Sequence, residues 1–303
     1  MIESIKIITT PAGVVEVATH GSGATPILVL HGCPGGIDAA CAMSRFLTQD
    51  DRFTTICVSR PGYLGTPLDS IEPSIDHESD LLAAVLDAVV GVEQRVGVLA
   101  WSGGGPAAYR LAVRHPDRVF AIVAIAAVSF RLVTPKPSAA ESFMFGTTIG
   151  ERLIAFLSKR VPKRVVTEAL KGEGSLRGEE LRMLVDQVEA DPQQRRLVLE
   201  IARTVTTTGK RQAGWRNDVA NFAHIDSLNL NRVHRPVLLV HGDADTDVSI
   251  EHSRSAHDEL PDSHLIVMKR GTHLSFYAHP QASDVQEQAR RWLSIPTAAP
   301  LNS

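Results

Sequence analysis

The amino-acid sequence predicts an α/β fold, with a mostly parallel sheet covered by helices on both faces and a helical insertion before the last strands. Over the first 130 residues, short apolar runs rich in β-branched residues alternate with helical patterns, an order typical of a parallel sheet. The later runs are apolar on both faces, as strands buried in such a sheet must be. Residues 131–232 show helical patterns without a convincing strand, and strand patterns then resume.

The individual elements follow this plan in order. The first two strands, at residues 4–9 and 14–19, are separated by Pro11-Ala12-Gly13 and are expected to form an antiparallel hairpin at the sheet edge. Further strands are predicted at residues 26–30, 54–58, 95–100, 119–126, 237–240 and 264–268. Helices are predicted from their apolar stripes at residues 76–90, 107–113, 179–188 and 280–293.

These elements predict two domains. Residues 1–130 and 233–296 form an α/β core, and residues 131–232 form a helical domain inserted into it. A structureless loop of that length is uncommon in a compact domain. The tail at residues 297–303 is expected to be frayed.

Composition excludes several classes of function. A net charge of −3 and a pI near 6.5 give no electrostatic basis for binding nucleic acid or an anionic membrane. We expect no signal peptide, because the first residues lack a basic head followed by an apolar core, and no apolar run reaches the roughly 20 residues that span a bilayer. The three cysteines, Cys33, Cys41 and Cys57, have no CxxC spacing, so we expect a reducing, cytoplasmic setting without a zinc site or disulfide framework.

The segment at residues 96–106 predicts an activated serine. A buried strand leads into Ser102 among small residues, and a helix follows. A serine on such a turn has strained backbone, and the residues two before and two after it must be small, as Ala100 and Gly104 are. A phosphate-binding turn or a tight connection is the alternative. No Lys-Ser/Thr pair follows, however, as a Walker-type loop requires, and no acidic residue ends the next strand as in a dinucleotide site.

A serine nucleophile needs a base that is oriented by a carboxylate. On this kind of scaffold the acid and then the histidine follow the serine, on loops after later strands. The loop at residues 241–248 contains three aspartates, and the loop after the last strand contains His273. We predict that Asp245, three residues beyond Gly242, is the acid and that His273 is the base.

The remaining candidates in these loops have structural interpretations. Asp243 is expected to cap the turn and Asp247 the helix near Ile250, roles in which aspartate is common. His279 directly precedes Pro280, so it is interpreted as part of the entry to the last helix.

The loop after the third strand, residues 31–36, is predicted to help stabilise an oxyanion. One of its backbone N–H groups, together with the N–H of Gly103, would face the negative charge. Pro34 has no N–H, so we predict that Cys33 is the donor. A tight strand-to-helix turn without a catalytic role is the alternative interpretation.

Five motifs in this order resemble the α/β-hydrolase superfamily. They are His31-Gly32-x-Pro34-Gly35, Arg60-Pro61-Gly62-Tyr63, Ser102 in its small-residue turn, Gly242-x-x-Asp245 and Gly271-x-His273. The resemblance covers essentially the whole chain outside the insertion and implies that the insertion is that family's helical cap over the pocket. Ala100 stands where the family most often has glycine. The first motif is also similar to that of proline iminopeptidases, but those usually have tryptophan where this chain has Gly103.

The resemblance and the predicted triad imply a serine hydrolase that cleaves a small ester- or amide-like substrate through an acyl-enzyme, in the manner of a carboxylesterase. No metal or organic cofactor is expected. A serine nucleophile argues against dehalogenases and epoxide hydrolases of this fold, which use aspartate there. The alternatives are an aminopeptidase of the proline-iminopeptidase type, a perhydrolase, a lyase, or a ligand receptor that keeps the fold without turnover.

The insertion is expected to contribute to the pocket. Phe143, Met144, Phe145 and Trp215 are its candidate substrate-binding residues, and apolar packing onto the sheet is the alternative for each. The polar segment at residues 211–218 is interpreted as a solvated helix face, and presentation of Arg216, Asn217 or Asp218 to a substrate is the alternative. The expected partner is a small-molecule substrate, and a homodimer through the insertion or the edge strands is compatible with the sequence.

Overall fold

The strands of the computed structural model, which describes residues 5–68, 74–134 and 138–294, form a single sheet. They are β1 (Lys6–Thr10), β2 (Gly13–His20), β3 (Thr25–Leu30), β4 (Phe53–Val58), β5 (Val96–Trp101), β6 (Val119–Ile125), β7 (Val237–Gly242) and β8 (Ser263–Met268). Their spatial order is β1-β2-β4-β3-β5-β6-β7-β8. The pairs β1–β2 and β2–β4 are antiparallel and all the others are parallel. This confirms both the mostly parallel sheet and the antiparallel hairpin at its edge.

Twelve α-helices connect or cover the strands within the described residues. They are α1 (Ile37–Met43), α2 (Arg45–Thr48), α3 (Ile75–Val90), α4 (Gly105–Arg114), α5 (Ala139–Gly146), α6 (Thr148–Arg160), α7 (Pro162–Gly172), α8 (Gly178–Ala190), α9 (Pro192–Ile201), α10 (Gln212–Ala223), α11 (Glu251–Glu259) and α12 (Ala282–Leu293). The sheet therefore has helices on both faces, as the alternating sequence pattern predicts.

Two apolar clusters lie against the sheet, one on each face. Successive strand residues point to opposite faces, so Val29 of β3 belongs to the cluster that contains helices α1 and α12, whereas Leu28 belongs to the cluster that contains α3 and α4. The four consecutive strands β3, β5, β6 and β7 carry buried apolar residues on both sides. The cost of exposing such strands to water explains why both faces are covered.

Along the chain, helices α5 to α10 follow β6 and precede β7, in the region where the sequence shows helical patterns. Val166 and Leu170 of α7, with Val185 and Val188 of α8, are buried in the same cluster as α1 and α12. The predicted frayed tail lies outside the described residues. Within the described ranges, no helix combines the length and apolar character needed to cross a bilayer.

The parallel strands determine where polar loops can meet. The carboxyl ends of β3, β5, β7 and β8 lie at the same edge of the sheet, because these strands run in the same direction. The loops that follow them carry the predicted oxyanion donor, serine, acid and histidine. Ligands of open α/β sheets bind at this edge.

Candidate active site

Ser102 occupies a strained turn directly after β5. Its φ angle is 53°, a left-handed conformation that is costly for a residue with a side chain, and it is 8% exposed. The turn is tight because the chain passes close to itself. A Cβ atom on Gly104 would lie 2.7 Å from the carbonyl oxygen of Leu30. The position two residues after the serine therefore has no room for a side chain, in agreement with the small residue that the sequence analysis expects there.

Asp245 and His273 are in direct contact. His273 Nδ1 lies 2.7 Å from Asp245 Oδ2, and Asp245 Oδ1 accepts the backbone N–H groups of Asp247 at 2.8 Å and Val248 at 3.0 Å. His241 Nε2 lies 3.2 Å from the same Oδ2. The Asp245 side chain is fully buried, and these contacts hold its carboxylate in one orientation.

This arrangement determines the charges of the pair. Burial opposes ionisation of both groups, but the positive His273 and the His241 hydrogen bond hold the pKa of Asp245 below its usual range. Burial would likewise lower the pKa of His273, yet the Asp245 carboxylate raises it above the ordinary value. In the neutral ring, Nδ1–H donates to Asp245 and Nε2 remains an acceptor. That tautomer is the one a general base needs.

The other residues considered in these loops have structural positions. Asp243 Oδ1 accepts the backbone N–H of Arg270 and so joins the loops after β7 and β8. The ring nitrogens of His279 contact the Lys269 carbonyl oxygen and the Gln281 N–H, as expected at a helix entry. The predicted capping role of Asp247 is wrong. Helix α11 begins without a side-chain cap, and Asp247 instead lines the cavity beside His273.

The loop after β3 packs against the serine turn. A Cβ atom on Gly103 would lie 2.7 Å from the Cβ of Cys33, so the two predicted oxyanion donors are neighbours. Neither backbone N–H donates to another group among the residues that the structure describes. Burial raises the pKa of the Cys33 thiol, which keeps the sulfur protonated. The thiol therefore adds no negative charge beside the two N–H groups.

A buried charge network holds this loop in place. The Arg60 guanidinium contacts Glu78 at 2.7 Å and Asp218 at 2.8 Å, and the Tyr63 hydroxyl donates to Asp218 at 2.8 Å. The backbone N–H of Arg60 donates to His31 Nε2 at 3.0 Å. Because Glu78 is on α3 and Asp218 on α10, the network joins the sheet's helices to the inserted ones.

The interpretation of residues 211–218 as a solvated face is wrong at two positions. Arg211 is buried, donates to the Gly35 carbonyl oxygen and pairs with Asp38 at 2.6 Å. Asp218 is 3% exposed in the network with Arg60. Arg211 is paired with Asp38 of α1 and Asp218 with Arg60 of the loop after β4, which explains how these two charged side chains can be buried. The sequence shows these residues but not their partners.

Above Ser102 and His273 lies a cavity of about 610 Å³. Its walls are mostly apolar and come largely from α6, α7 and α9, and the side chains that form them include Met144, Phe145, Leu153, Ile154, Leu157, Val198, Ile201, Ala202 and Val205. Of the four predicted pocket residues, Met144 and Phe145 line the cavity. Phe143 does not, because it lies on the outer side of α5 and is 47% exposed. Trp215 does not either, since it is half-buried on α10 away from the cavity.

Glu173 was not identified from the sequence, although it lies beside His273. The backbone N–H of His273 donates to the Glu173 carbonyl oxygen at 2.8 Å. Carboxylate oxygens of Glu173 and Asp247 and a ring nitrogen of His273 lie within 4.8 Å of one another. The sequence signal was a carboxylate between two glycines, Gly172-Glu173-Gly174, inside an otherwise helical segment.

One group of described side chains has donor atoms suited to a soft metal ion. His20, Cys41 and Cys57 place one nitrogen and two sulfurs within 4.8 Å of one another. His20 Nε2 lies 3.2 Å from Cys41 Sγ. This is a donor set that zinc accepts. The expectation of no zinc site stays a prediction.

Comparisons with known proteins identify the family of this chain. The family model described as alpha/beta hydrolase fold matches residues 25–280, which span the strands from β3 onward and the predicted serine, acid and histidine. The chain therefore belongs to the α/β hydrolase fold family, and the protein is an α/β-fold hydrolase. A solved alpha/beta hydrolase fold protein from Nakamurella multipartita is 43% identical, with a TM-score of 0.92 over 96% of this chain and 99% of that chain.

Two curated relatives are more distant. An uncharacterized hydrolase, YcgS, of Bacillus subtilis is 23% identical over 275 residues, covering 89% of this chain and 92% of the relative. A pimeloyl-[acyl-carrier protein] methyl ester esterase of Neisseria meningitidis is 28% identical over 229 residues, covering 74% of this chain and 78% of the relative. The relatives named for an activity are thus hydrolases and esterases.

Proposed function

We propose that the protein is a carboxylesterase-like serine hydrolase that cleaves a small ester- or amide-like substrate through an acyl-enzyme intermediate. Ser102 would be the nucleophile, His273 the general base and Asp245 the acid that orients it. The observation that carries this proposal is the serine in a left-handed turn, 8% exposed, in the same cavity as a histidine held 2.7 Å from a buried aspartate. Nucleophile, base and orienting acid are the three parts that acyl transfer needs.

In the proposed reaction, Ser102 Oγ attacks the substrate carbonyl carbon while its proton moves to His273 Nε2. The carbonyl oxygen becomes negative and is stabilised by the N–H groups of Cys33 and Gly103. His273 then gives the proton to the leaving group as the bond to the acyl carbon breaks. Water, deprotonated by His273, releases the acid and restores Ser102.

The cavity favours an apolar acyl group. Its walls from α6, α7 and α9 are mostly aliphatic, and burial of each methylene group in such a site is favourable by about 0.8 kcal/mol. The volume of about 610 Å³ lies in the range of about 300–1,000 Å³ that small-molecule sites occupy. The methyl ester esterases among the relatives support an ester as the substrate class.

Active-site labelling tests this proposal. The purified protein is treated with a fluorophosphonate probe, the adduct is located by mass spectrometry, and p-nitrophenyl esters of graded acyl length are assayed. Labelling is expected at Ser102 alone, and Ser102→Ala should abolish it and lower kcat by about 10⁶-fold because the nucleophile is lost.

Ser249→Ala is the matched control, because Ser249 is exposed on the loop before α11 and has no part in the proposed mechanism. It should label and turn over normally. A folded protein that takes up no probe, or a Ser102→Ala variant that retains esterase activity, would refute the assignment.

A further inference from the structure

One carboxylate oxygen in the cavity has no hydrogen-bond partner among the described residues. Glu173 Oε2 is buried, with less than 1 Å² of accessible surface, and no polar atom of the described chain bonds to it. Burying an unpaired polar atom costs about 1–3 kcal/mol. Glu173 lines the cavity, so the unpaired oxygen marks a position where a ligand group can supply the missing partner.

The backbone fixes Glu173 in this position. Its carbonyl oxygen accepts the His273 N–H, the Ser175 N–H donates to the Ala244 carbonyl oxygen at 2.8 Å, and Gly174 forms a β-bridge with Asp245. The segment after α7 is thus bonded to both loops that carry the proposed acid and base. These bonds hold the backbone of Glu173 beside the proposed acid and base.

The charges around the carboxyl define what it can bind. Asp247 from the loop after β7 and His273 from the loop after β8 lie within 4.8 Å of it. From α7, Glu168 and Arg164 also line the cavity, and both are exposed at its outer part. Three carboxyl groups therefore face this side of the cavity, together with the basic groups of Arg164 and His273.

We propose that the Glu173 carboxyl binds a cationic leaving group, so that the protein prefers esters whose alcohol carries a protonated amine. This inference rests on the proposed function, in which His273 donates its proton to the leaving group and the leaving group must therefore lie beside it. The apolar walls from α6 and α9 would then hold the acyl group.

The electrostatics of Glu173 agree with this assignment. Burial and the neighbouring Asp247 carboxylate raise the pKa of Glu173 well above its ordinary value. The positive charge of His273 acts in the opposite direction but is outweighed. An ammonium N–H beside Oε2 would add a positive charge that favours the ionised carboxylate, and it would supply the missing hydrogen bond.

A pair of esters of nearly the same shape tests the proposal. Dimethylaminoethyl butanoate carries a protonated amine at neutral pH, whereas isoamyl butanoate has a CH group in place of the nitrogen. The wild-type kcat/KM is expected to be about tenfold higher for the cationic ester, because a charged hydrogen bond is made only with it. Glu173→Gln should remove this preference, so that the ratio of the two kcat/KM values falls to about one.

Glu179→Gln is the control for the loss of one negative charge, because Glu179 is exposed on α8 and pairs with Arg182 at the surface. It should keep the preference. Equal kcat/KM values for both esters in the wild type, or a preference that survives in Glu173→Gln, would overturn the proposal.

Binding to Ser102→Ala, measured by calorimetry, separates this inference from the proposed function. If the wild type hydrolyses neither ester but Ser102→Ala binds the cationic ester more tightly, the binding site stands and the esterase assignment fails. If both esters are hydrolysed alike and bind alike, the esterase assignment stands and the binding site is refuted.

Discussion

The candidate site has two halves, one carried by the loops of the sheet and one by the inserted helices. In the sheet half, both oxygens of the Asp245 carboxylate have partners: Oδ1 accepts two backbone N–H groups and Oδ2 contacts His273 and His241. In the inserted half, the wall is mostly aliphatic, and Glu173 Oε2 has no partner within the described chain.

This difference indicates that the two halves of the site have different roles. Groups that move protons must be held in one geometry before the substrate arrives, and the sheet half meets this requirement with fixed hydrogen bonds. A wall with few polar groups discriminates between substrates by their size and by their fit to any unpaired charge in the wall. We therefore expect substitutions in the sheet half to remove activity and substitutions in the inserted half to change selectivity.

The largest effect is expected in the sheet half. Asp245→Asn keeps the size of the side chain but removes its charge, so His273 loses the acceptor that selects its tautomer. We expect kcat for a p-nitrophenyl ester to fall by about 10⁴-fold. Steady-state kinetics across a range of pH measures both the loss of kcat and its dependence on the protonation of His273.

The pH profile distinguishes an electrostatic role from loss of fold. The wild-type rate should rise with pH as His273 loses its proton, and Asp245 raises the pKa of His273 above the ordinary value. In Asp245→Asn the remaining rise should therefore move to lower pH. Asp243→Asn, which retains an oxygen that accepts the Arg270 N–H, should keep kcat within about threefold. An unshifted profile in Asp245→Asn would contradict the assignment.

The sheet half is also the part that the sequence predicts. Ser102 is predicted as the nucleophile because the turn permits only small residues around it. Asp245 and His273 are predicted as acid and base because each follows a strand whose direction is set by the sheet. These constraints act between neighbours along the chain. They leave a pattern of residue types that can be recognised without the structure.

The buried network around Arg60 connects the two halves, and its loss should have the next largest effect. Arg60→Met leaves the Glu78 and Asp218 carboxylates buried without their cation. We expect the free energy of unfolding to fall by about 3 kcal/mol, as measured by urea denaturation. The loop bearing Cys33 should also be less well held, because the Arg60 N–H donates to His31.

Arg52→Met is the matched control, because Arg52 pairs with Asp50 while its side chain is 50% exposed. An exposed pair contributes little, so its loss should cost less than about 1 kcal/mol. Equal losses of stability in the two variants would show that the network does not hold the halves together.

The contacts of the inserted half could not be predicted, because they depend on how separate helices pack. Asp218 and Arg211 are polar residues in a polar segment, and only their distant partners, Arg60 and Asp38, make them buried. Met144 and Phe143 are adjacent in the sequence, yet one lines the cavity and the other is exposed. The orientation of α5 decides between them, and composition does not reveal that orientation.

The smallest effect is expected where a side chain only shapes the cavity. Ala202, at the end of α9, lines the wall, and Ala202→Phe should fill part of the space that we assign to the acyl group. We expect kcat/KM for long p-nitrophenyl esters to fall by about tenfold relative to the acetate ester, while labelling of Ser102 by a small fluorophosphonate is unchanged. Ala190→Phe, at the exposed end of α8, should leave the chain-length preference as it is. A loss of activity toward every ester in Ala202→Phe would mean that the inserted wall also positions the reacting groups, and the division between the two halves would then be wrong.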